Sequence, residues 1–191
     1  MSREKIGVLL GSVLVLMVLF AGCSTADTPE PITGSVTIAE VKDESELQSV
    51  TLSYREVKAL PSVTGHGNCV STVGIRYGPW MCTGVPLPTL ADLVGGLGPN
   101  DTVWVSAPDG YLWVFDEEQV TGKDFFTFNK DLQEIPSPPL TVILAYEFDG
   151  RPLSYDEGAP FRIAIISEES GVITEGSSWV KWVDRIEVHR R

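Results

Sequence analysis

The chain has 191 residues, with 14 Lys+Arg against 26 Asp+Glu and a formal charge of −12. So acidic a chain is not a nucleic-acid binder, because that function needs clustered cations to displace counterions from phosphate. Hydrophobic residues at 43% and charged ones at 21% give a core-forming composition of one or at most two domains, and three Cys are too few for a disulfide scaffold or a Cys-rich metal fold.

The first segment stands apart from the rest. Arg3 and Lys5 are followed by an apolar run without charge, Ile6 to Phe20. The run is shorter than the roughly 20 residues a bilayer span needs, and it fits the central region of a secretory signal. Its end, Phe20-Ala21-Gly22-Cys23, resembles the bacterial and archaeal lipobox, with Phe20 in place of the usual Leu. The resemblance implies cleavage before Cys23 and a lipid thioether on its sulfur; the alternative is an uncleaved anchor with an unmodified Cys23. Removal of residues 1–22 takes away two basic residues and one acidic one, leaving 169 residues at −13. The expectation is an extracytoplasmic domain, lipid-anchored to the cell membrane and held off anionic lipids by its own acidity. Residues 23–31, with two prolines and no apolar period, read as a tether.

The folded domain is expected over residues 32–191. Val36 to Ile38 and Val50 to Leu52 alternate as strands. Ser53 with Glu56 matches a capping box, opening a short helix that Pro61 ends. Val70 to Tyr77 and Trp80 to Val85 read as strands around Gly78-Pro79. Pro88 to Val94 reads as a helix stopped by Gly95-Gly96. Thr102 to Ala107 and Tyr111 to Phe115 flank Pro108-Asp109-Gly110, a hairpin signal. Leu140 to Phe148, Phe161 to Ile166 and Trp179 to Val188 complete the strands. Many short strands with two or three short helices give an α+β fold dominated by β.

Seven pieces of this sequence follow the order of a family pattern. They are Trp80 to Leu87, Leu90 to Leu93, Pro108 to Tyr111, Leu144 to Tyr146, Asp149 to Leu153, Gly158 to Arg162 and Trp179 to Trp182. Together they resemble the oxidoreductase molybdopterin-binding domain, the sulfite-oxidase fold, in its short exported versions. The resemblance implies a molybdenum–molybdopterin cofactor, redox chemistry and a redox or other protein partner. It also implies that one protein thiolate ligates the metal beside the dithiolene sulfurs, a soft ligand for a soft site. Cys69, in Asn68-Cys69-Val70, stands at nearly the family distance before Trp80 and Gly84 to Leu87, so it is the candidate ligand. The sequence departs from the pattern in two places. Ser71 to Gly74 replaces the Gly-Trp that follows Cys-Val, and Ser170 to Gly176 replaces a Tyr-Gly-x-Lys-Ser segment that grips the cofactor.

Two cations are candidates for the cofactor phosphate. Arg162 is either a phosphate fork or the partner of a nearby carboxylate such as Asp156 or Glu157. Lys181 is either a phosphate contact or the outward residue of an edge strand. Tyr111, Trp113, Phe115 and Tyr146 read as core aromatics. After lipidation only Cys69 and Cys82 remain, in an oxidising compartment. They are a disulfide candidate, which would leave no thiolate for molybdenum, or a metal thiolate with a spare cysteine, or two free thiols.

Other motifs carry less. His66 with Cys69 lacks a third zinc ligand, His189 sits in a His-Arg-Arg tail expected to be solvated, and Asp43, Glu44 and Glu46 read as a solvated turn. No residue stands out as a general acid, base or nucleophile, and there is no Gly-x-Ser-x-Gly elbow. Two functions follow: a membrane-tethered molybdopterin oxidoreductase, or a non-catalytic domain on the same scaffold that binds a partner protein or small ligand.

Overall fold

β1 (Ser35–Lys42) and β2 (Ser45–Ser53) form an antiparallel hairpin. Its turn residues Asp43 and Glu44 have φ of 49° and 63°, the paired left-handed geometry that matches the twist of the flanking strands. Ser53 then caps α1 (Tyr54–Ala59). Its hydroxyl accepts from the Glu56 N–H, and its own N–H donates to the Glu56 carboxylate at 2.8 Å, as the capping box predicts. The computed structural model describes residues 32–191; the expected signal (1–22), the lipidated Cys23 and the tether (23–31) lie outside the described residues.

The chain continues through β3 (Val63–Val70), β4 (Arg76–Pro86), α2 (Leu87–Ala91), β5 (Thr102–Ser106), β6 (Leu112–Phe115) and α3 (Glu117–Val120). Then come β7 (Thr127–Phe128), β8 (Glu134–Ile135), β9 (Leu140–Phe148), β10 (Arg151–Pro152), β11 (Arg162–Ser167), β12 (Ile173–Glu175) and β13 (Arg185–His189). The result is the β-dominated α+β architecture expected. One sheet has the order β2-β1-β13-β5-β6, with β1 and β13 parallel. The larger sheet runs β10-β9-β11-β3-β12-β7-β8, and β4 pairs with both β3 and β9. Because β11 also pairs with both β9 and β3, the strands β3, β4, β9 and β11 close into a ring. Every residue of β11 is buried and β9 nearly so, which is why both read as near-continuous apolar runs.

A ring this narrow depends on missing side chains. A Cβ on Gly65 would sit 3.0 Å from the Ser167 carbonyl oxygen, and one on Gly84 only 2.3 Å from that of Leu144. A Cβ on Gly67 would come within 2.5 Å of Cys82 Sγ. The same glycines explain an error in reading the sequence. Val63 to Val70 lacks the usual strand composition, so the strand expected at Val70 to Tyr77 was placed too late. Residues 71–75 are instead the turn between β3 and β4, where the Ser71 N–H donates to the Ile75 carbonyl at 2.8 Å.

The C-terminal end also differs from expectation. Only Arg185–His189 is strand; residues 179–184 are not. His189 is not a solvated tail residue. Its ring stacks on Trp104 with centroids 4.1 Å apart and meets the Glu187 carboxylate at 2.8 Å. Arg190 donates to Asp101 at 2.6 Å and to Glu40 at 2.7 Å, pinning the last strand to the first.

Gly84→Ala is expected to destabilise the domain by about 1–3 kcal/mol, the usual penalty for overpacking. Thermal unfolding should record this as a fall of roughly 2–4 °C per kcal/mol.

Candidate functional site

The antiparallel pairing of β3 with β11 matches Ile166 to Gly67 and Ser167 to His66. It therefore brings the end of β3 and the start of β11 to one edge of the ring. Cys69 stands at the first of these positions and Arg162 at the second. Both line a cavity of about 610 Å³. Its other walls include Ser71 and Thr72 after β3, Tyr77 and Trp80 from β4, Asp109 and Tyr111 from the β5–β6 turn, Asp156 and Glu157 before β11, and residues 176–177 and 179–182.

Arg162 is only 4% exposed. Its Nη1 donates to the Glu157 carbonyl at 2.9 Å and its Nη2 to the Trp179 carbonyl at 3.4 Å, while its buried Nε has no acceptor. The rings of Trp80, Phe148 and Trp179 surround the guanidinium at 5.8, 5.5 and 5.3 Å, a cation–π enclosure. Among the described residues no carboxylate forms an ion pair with it. The salt-bridge alternative weighed for Arg162 is therefore not the arrangement found. Burial is the cause that lowers its pKa, as expected for a cation taken out of water without a counterion.

Lys181 is not on an edge strand but in the irregular stretch before β13. Its Nζ donates to the Asp156 carbonyl at 2.5 Å and lies 5.6 Å from the Trp182 ring. Burial first, and then the Arg162 charge, lower its pKa. Trp182 holds a left-handed φ of 53°, rare for an aromatic residue. Two hydrogen bonds stabilise it there: its N–H donates to the Gly158 carbonyl at 3.2 Å and its indole Nε1 to the Tyr155 carbonyl at 2.9 Å.

Cys69 and Cys82 are free, buried thiols, not the disulfide the sequence allowed. The strand register explains why. Cys69 stands opposite Tyr77, whereas Cys82 stands opposite Gly65. Four residues of extended strand span on the order of 13 Å, well beyond the Cα separation a disulfide accepts. Burial pushes the Cys69 thiol up to about 11, against the opposing pull of Arg162 and Lys181, and the Cys82 thiol up to about 12. Only Cys69 lines the cavity. The residues around Cys69 are tied together. Asn68 Nδ2 donates to the Val172 carbonyl at 3.1 Å, and Trp179 Nε1 donates to Thr174 Oγ1 at 2.9 Å. Gly67 leaves the space that the Trp179 ring fills, since a Cβ there would come within 2.9 Å of it.

Sequence reasoning missed part of this site. Tyr111 was read as a core aromatic, yet it is 43% exposed, lines the cavity and donates its hydroxyl to the Ser177 carbonyl at 2.6 Å. Its position directly after the Asp109-Gly110 turn was the available signal, because turn-flanking aromatics sit at the end of a sheet. Phe115 and Tyr146 are buried as expected. His66 joins no cluster: among the described residues no three His, Cys, Asp or Glu side chains converge on a metal-sized site.

Both thiols should react slowly with iodoacetamide in native protein at pH 8. A thiol at about 11 carries roughly 100-fold less thiolate than one at its ordinary value, so alkylation of Cys69 should be slower by about that factor than in unfolded chain. Unfolding without reductant should expose both for labelling, as mass spectrometry can count; a bridged pair would take up no label.

The fold is similar to that of SoxCD, the sulfane dehydrogenase of Paracoccus pantotrophus, with a TM-score of 0.60 and 17% sequence identity over 83% of this chain. This chain covers 38% of the SoxCD chain. A search of curated proteins finds no match. The profile of the oxidoreductase molybdopterin-binding domain matches residues 26–191, so the chain belongs to that family.

Proposed function

We propose that the cavity holds a molybdenum–molybdopterin cofactor and that the chain is an oxidoreductase. One observation carries this reading: a buried guanidinium with no counterion faces the same cavity as a buried thiol and a second cation. An isolated buried charge is costly unless it is paired, and the phosphate of such a cofactor is a fitting partner for a forked donor. The residues present fit the group in kind. Cys69 is the single thiol that lines the cavity, Arg162 and Lys181 are its cations, and aromatic side chains form its walls.

When bound, the cofactor supplies a redox-active metal held by dithiolene sulfurs. The chain supplies the rest. Cys69 would ligate the metal as thiolate, and binding would displace the proton that burial now keeps on its sulfur. Arg162 and Lys181 would hold the phosphate. Trp80 and Trp179 exclude water around the guanidinium, which strengthens its field in the cavity. Substrate and electron partner would approach the exposed rim, where Tyr77 and Tyr111 stand.

Expression of the full chain in a host that makes the cofactor tests the proposal. Molybdenum and pterin near one per chain are expected. Cys69→Ser should lose most of the metal and Cys82→Ala should retain it. A folded sample without metal or pterin would sink the oxidoreductase reading and favour a domain that binds another anionic ligand.

We further infer that the mature protein is exported and anchored through a lipidated Cys23, on the strength of the lipobox resemblance at residues 20–23. In a lipoprotein-processing host the chain should sediment with membranes and carry acyl mass on Cys23. Cys23→Ser should release it to the soluble fraction; a sedimentation pattern unchanged by that substitution counts against the anchor.

A further inference from the structure

Glu157 stands between two arginines and turns a different end toward each. Its carboxylate accepts from Arg151 Nη1 and Nη2, both at 2.7 Å, and from the Ser154 N–H and hydroxyl, both at 2.8 Å. Its carbonyl accepts from Arg162 Nη1 at 2.9 Å. The carboxylate nearest in the chain to Arg162's carbonyl partner is thus spent on a different arginine, while Arg162 Nε has no acceptor. In ordinary circumstances a guanidinium and a carboxylate in neighbouring positions would pair, since the bidentate bond to an anion adds the attraction of opposite charges to the hydrogen bonds themselves.

The local chain holds this arrangement. Ser154 and Glu157 form a reciprocal capping box around a 3₁₀ turn, Tyr155–Glu157. Gly158, at φ 103°, packs directly on Lys181, where a Cβ would meet the Lys181 Cβ at 2.9 Å. That contact fixes the direction of the Glu157 carbonyl. Arg151, half exposed at 53% of its side chain, does not line the cavity.

We propose that Arg151 is a positioning residue: its fork draws the Glu157 carboxylate off Arg162 and so keeps the guanidinium of the cavity free for an anionic ligand of the phosphate class. This rests on the reading of Arg162 and Lys181 as the anion-binding pair. It also gives the arginine of Asp149-Gly150-Arg151-Pro152-Leu153 a role that a turn alone does not require. The Arg151 contact is the first cause that holds the Glu157 carboxyl down at about 2. The other titratable groups facing this region are Asp149 beside Arg151, and Asp109, Asp156, Lys181, Arg162 and Cys69 on the cavity side, with Cys82 packed behind them.

The test uses the full chain without cofactor and inorganic sulfate as probe, because its charge is constant from pH 4 to 8. Binding is followed by tryptophan fluorescence, with Trp80 and Trp179 against Arg162 as reporters. Arg151→Ala should weaken sulfate binding about 10-fold at pH 7, the scale of one competing charge. The loss should fade as pH falls through the ordinary carboxyl range, near pH 4.3. That step is absent in wild type, where the Arg151 fork holds the Glu157 carboxyl down at about 2. Arg151→Ala/Glu157→Gln should restore binding to near the wild-type level, which a merely structural salt bridge would not do. Unchanged affinity in Arg151→Ala, or no recovery in the double variant, overturns the positioning role and leaves the anion site standing. Sulfate that fails to bind wild type overturns the anion site and this role with it. Should Arg151→Ala not fold, Arg151→Lys carries the same contrast: weakened binding that Glu157→Gln restores supports the role, and unchanged binding overturns it.

Discussion

The burial of Arg162 without a counterion is the constraint around which this end of the molecule is arranged. A guanidinium taken out of water loses hydration worth several kcal/mol even after relaxation. Here the return comes from two backbone carbonyls and three aromatic faces, none of which carries a charge. Each of these partners has its own support. Trp179 is held by Thr174 and by the gap at Gly67. The Glu157 carbonyl is held by the Ser154 capping box and by Gly158 against Lys181. Phe148 stacks on Trp80 with centroids 4.8 Å apart. The elements that define the cavity are therefore the same ones that stabilise the charge inside it.

The strand ring puts the two chemically distinctive residues on one edge. β3 and β11 run antiparallel, so the end of one meets the start of the other, and Cys69 and Arg162 fall together although 93 positions apart in the chain. Closure of so few strands leaves little room inside, which Gly65, Gly67 and Gly84 provide. A side chain at Gly67 would displace Trp179 and Cys82 together, so packing of the ring and geometry of the site are not separable there. Cys82 lies within this packing, 0% exposed, and Cys69 at its open end.

The sequence carried the fold class and the strands with clean alternation, and the three residues it singled out, Cys69, Arg162 and Lys181, line one cavity. β9 was legible to the residue because Leu140 to Phe148 is apolar throughout and ends in an Asp-Gly turn. β3 was not, because the glycines that let it enter the ring also erase its strand signature. The state of the cysteines was illegible for a related reason: it depends on register, and a bulge between Gly67 and Cys69 shifts that register in a way no local pattern announces. The partner of Arg162 could be posed only as a choice between phosphate and carboxylate. The Glu157 acid group does not supply that carboxylate, because it accepts from Arg151 and Ser154 instead.

Net charge bears differently on the surface and on the cavity. The −12 of the chain argues against nucleic-acid binding, since that binding samples a broad exposed face. It says little about a buried guanidinium with a half-buried ammonium beside it. Surface carboxylates more than a Debye length away, about 8–10 Å at ordinary ionic strength, are screened, whereas Arg162 acts across a cavity walled by tryptophan. Two cations inside an acidic protein, with pKa values lowered by burial, are a costly feature that packing alone would not retain. Carboxylates are at hand to neutralise them: Asp156 sits beside Lys181, and Glu157 beside Arg162. Yet each meets its cation through a backbone carbonyl and not through its acid group. Lys181 and Arg162 are thus both bonded by neutral oxygens, with no carboxylate oxygen in an ion pair with either among the described residues. It is this local arrangement, not the composition of the chain, that bears on the ligand.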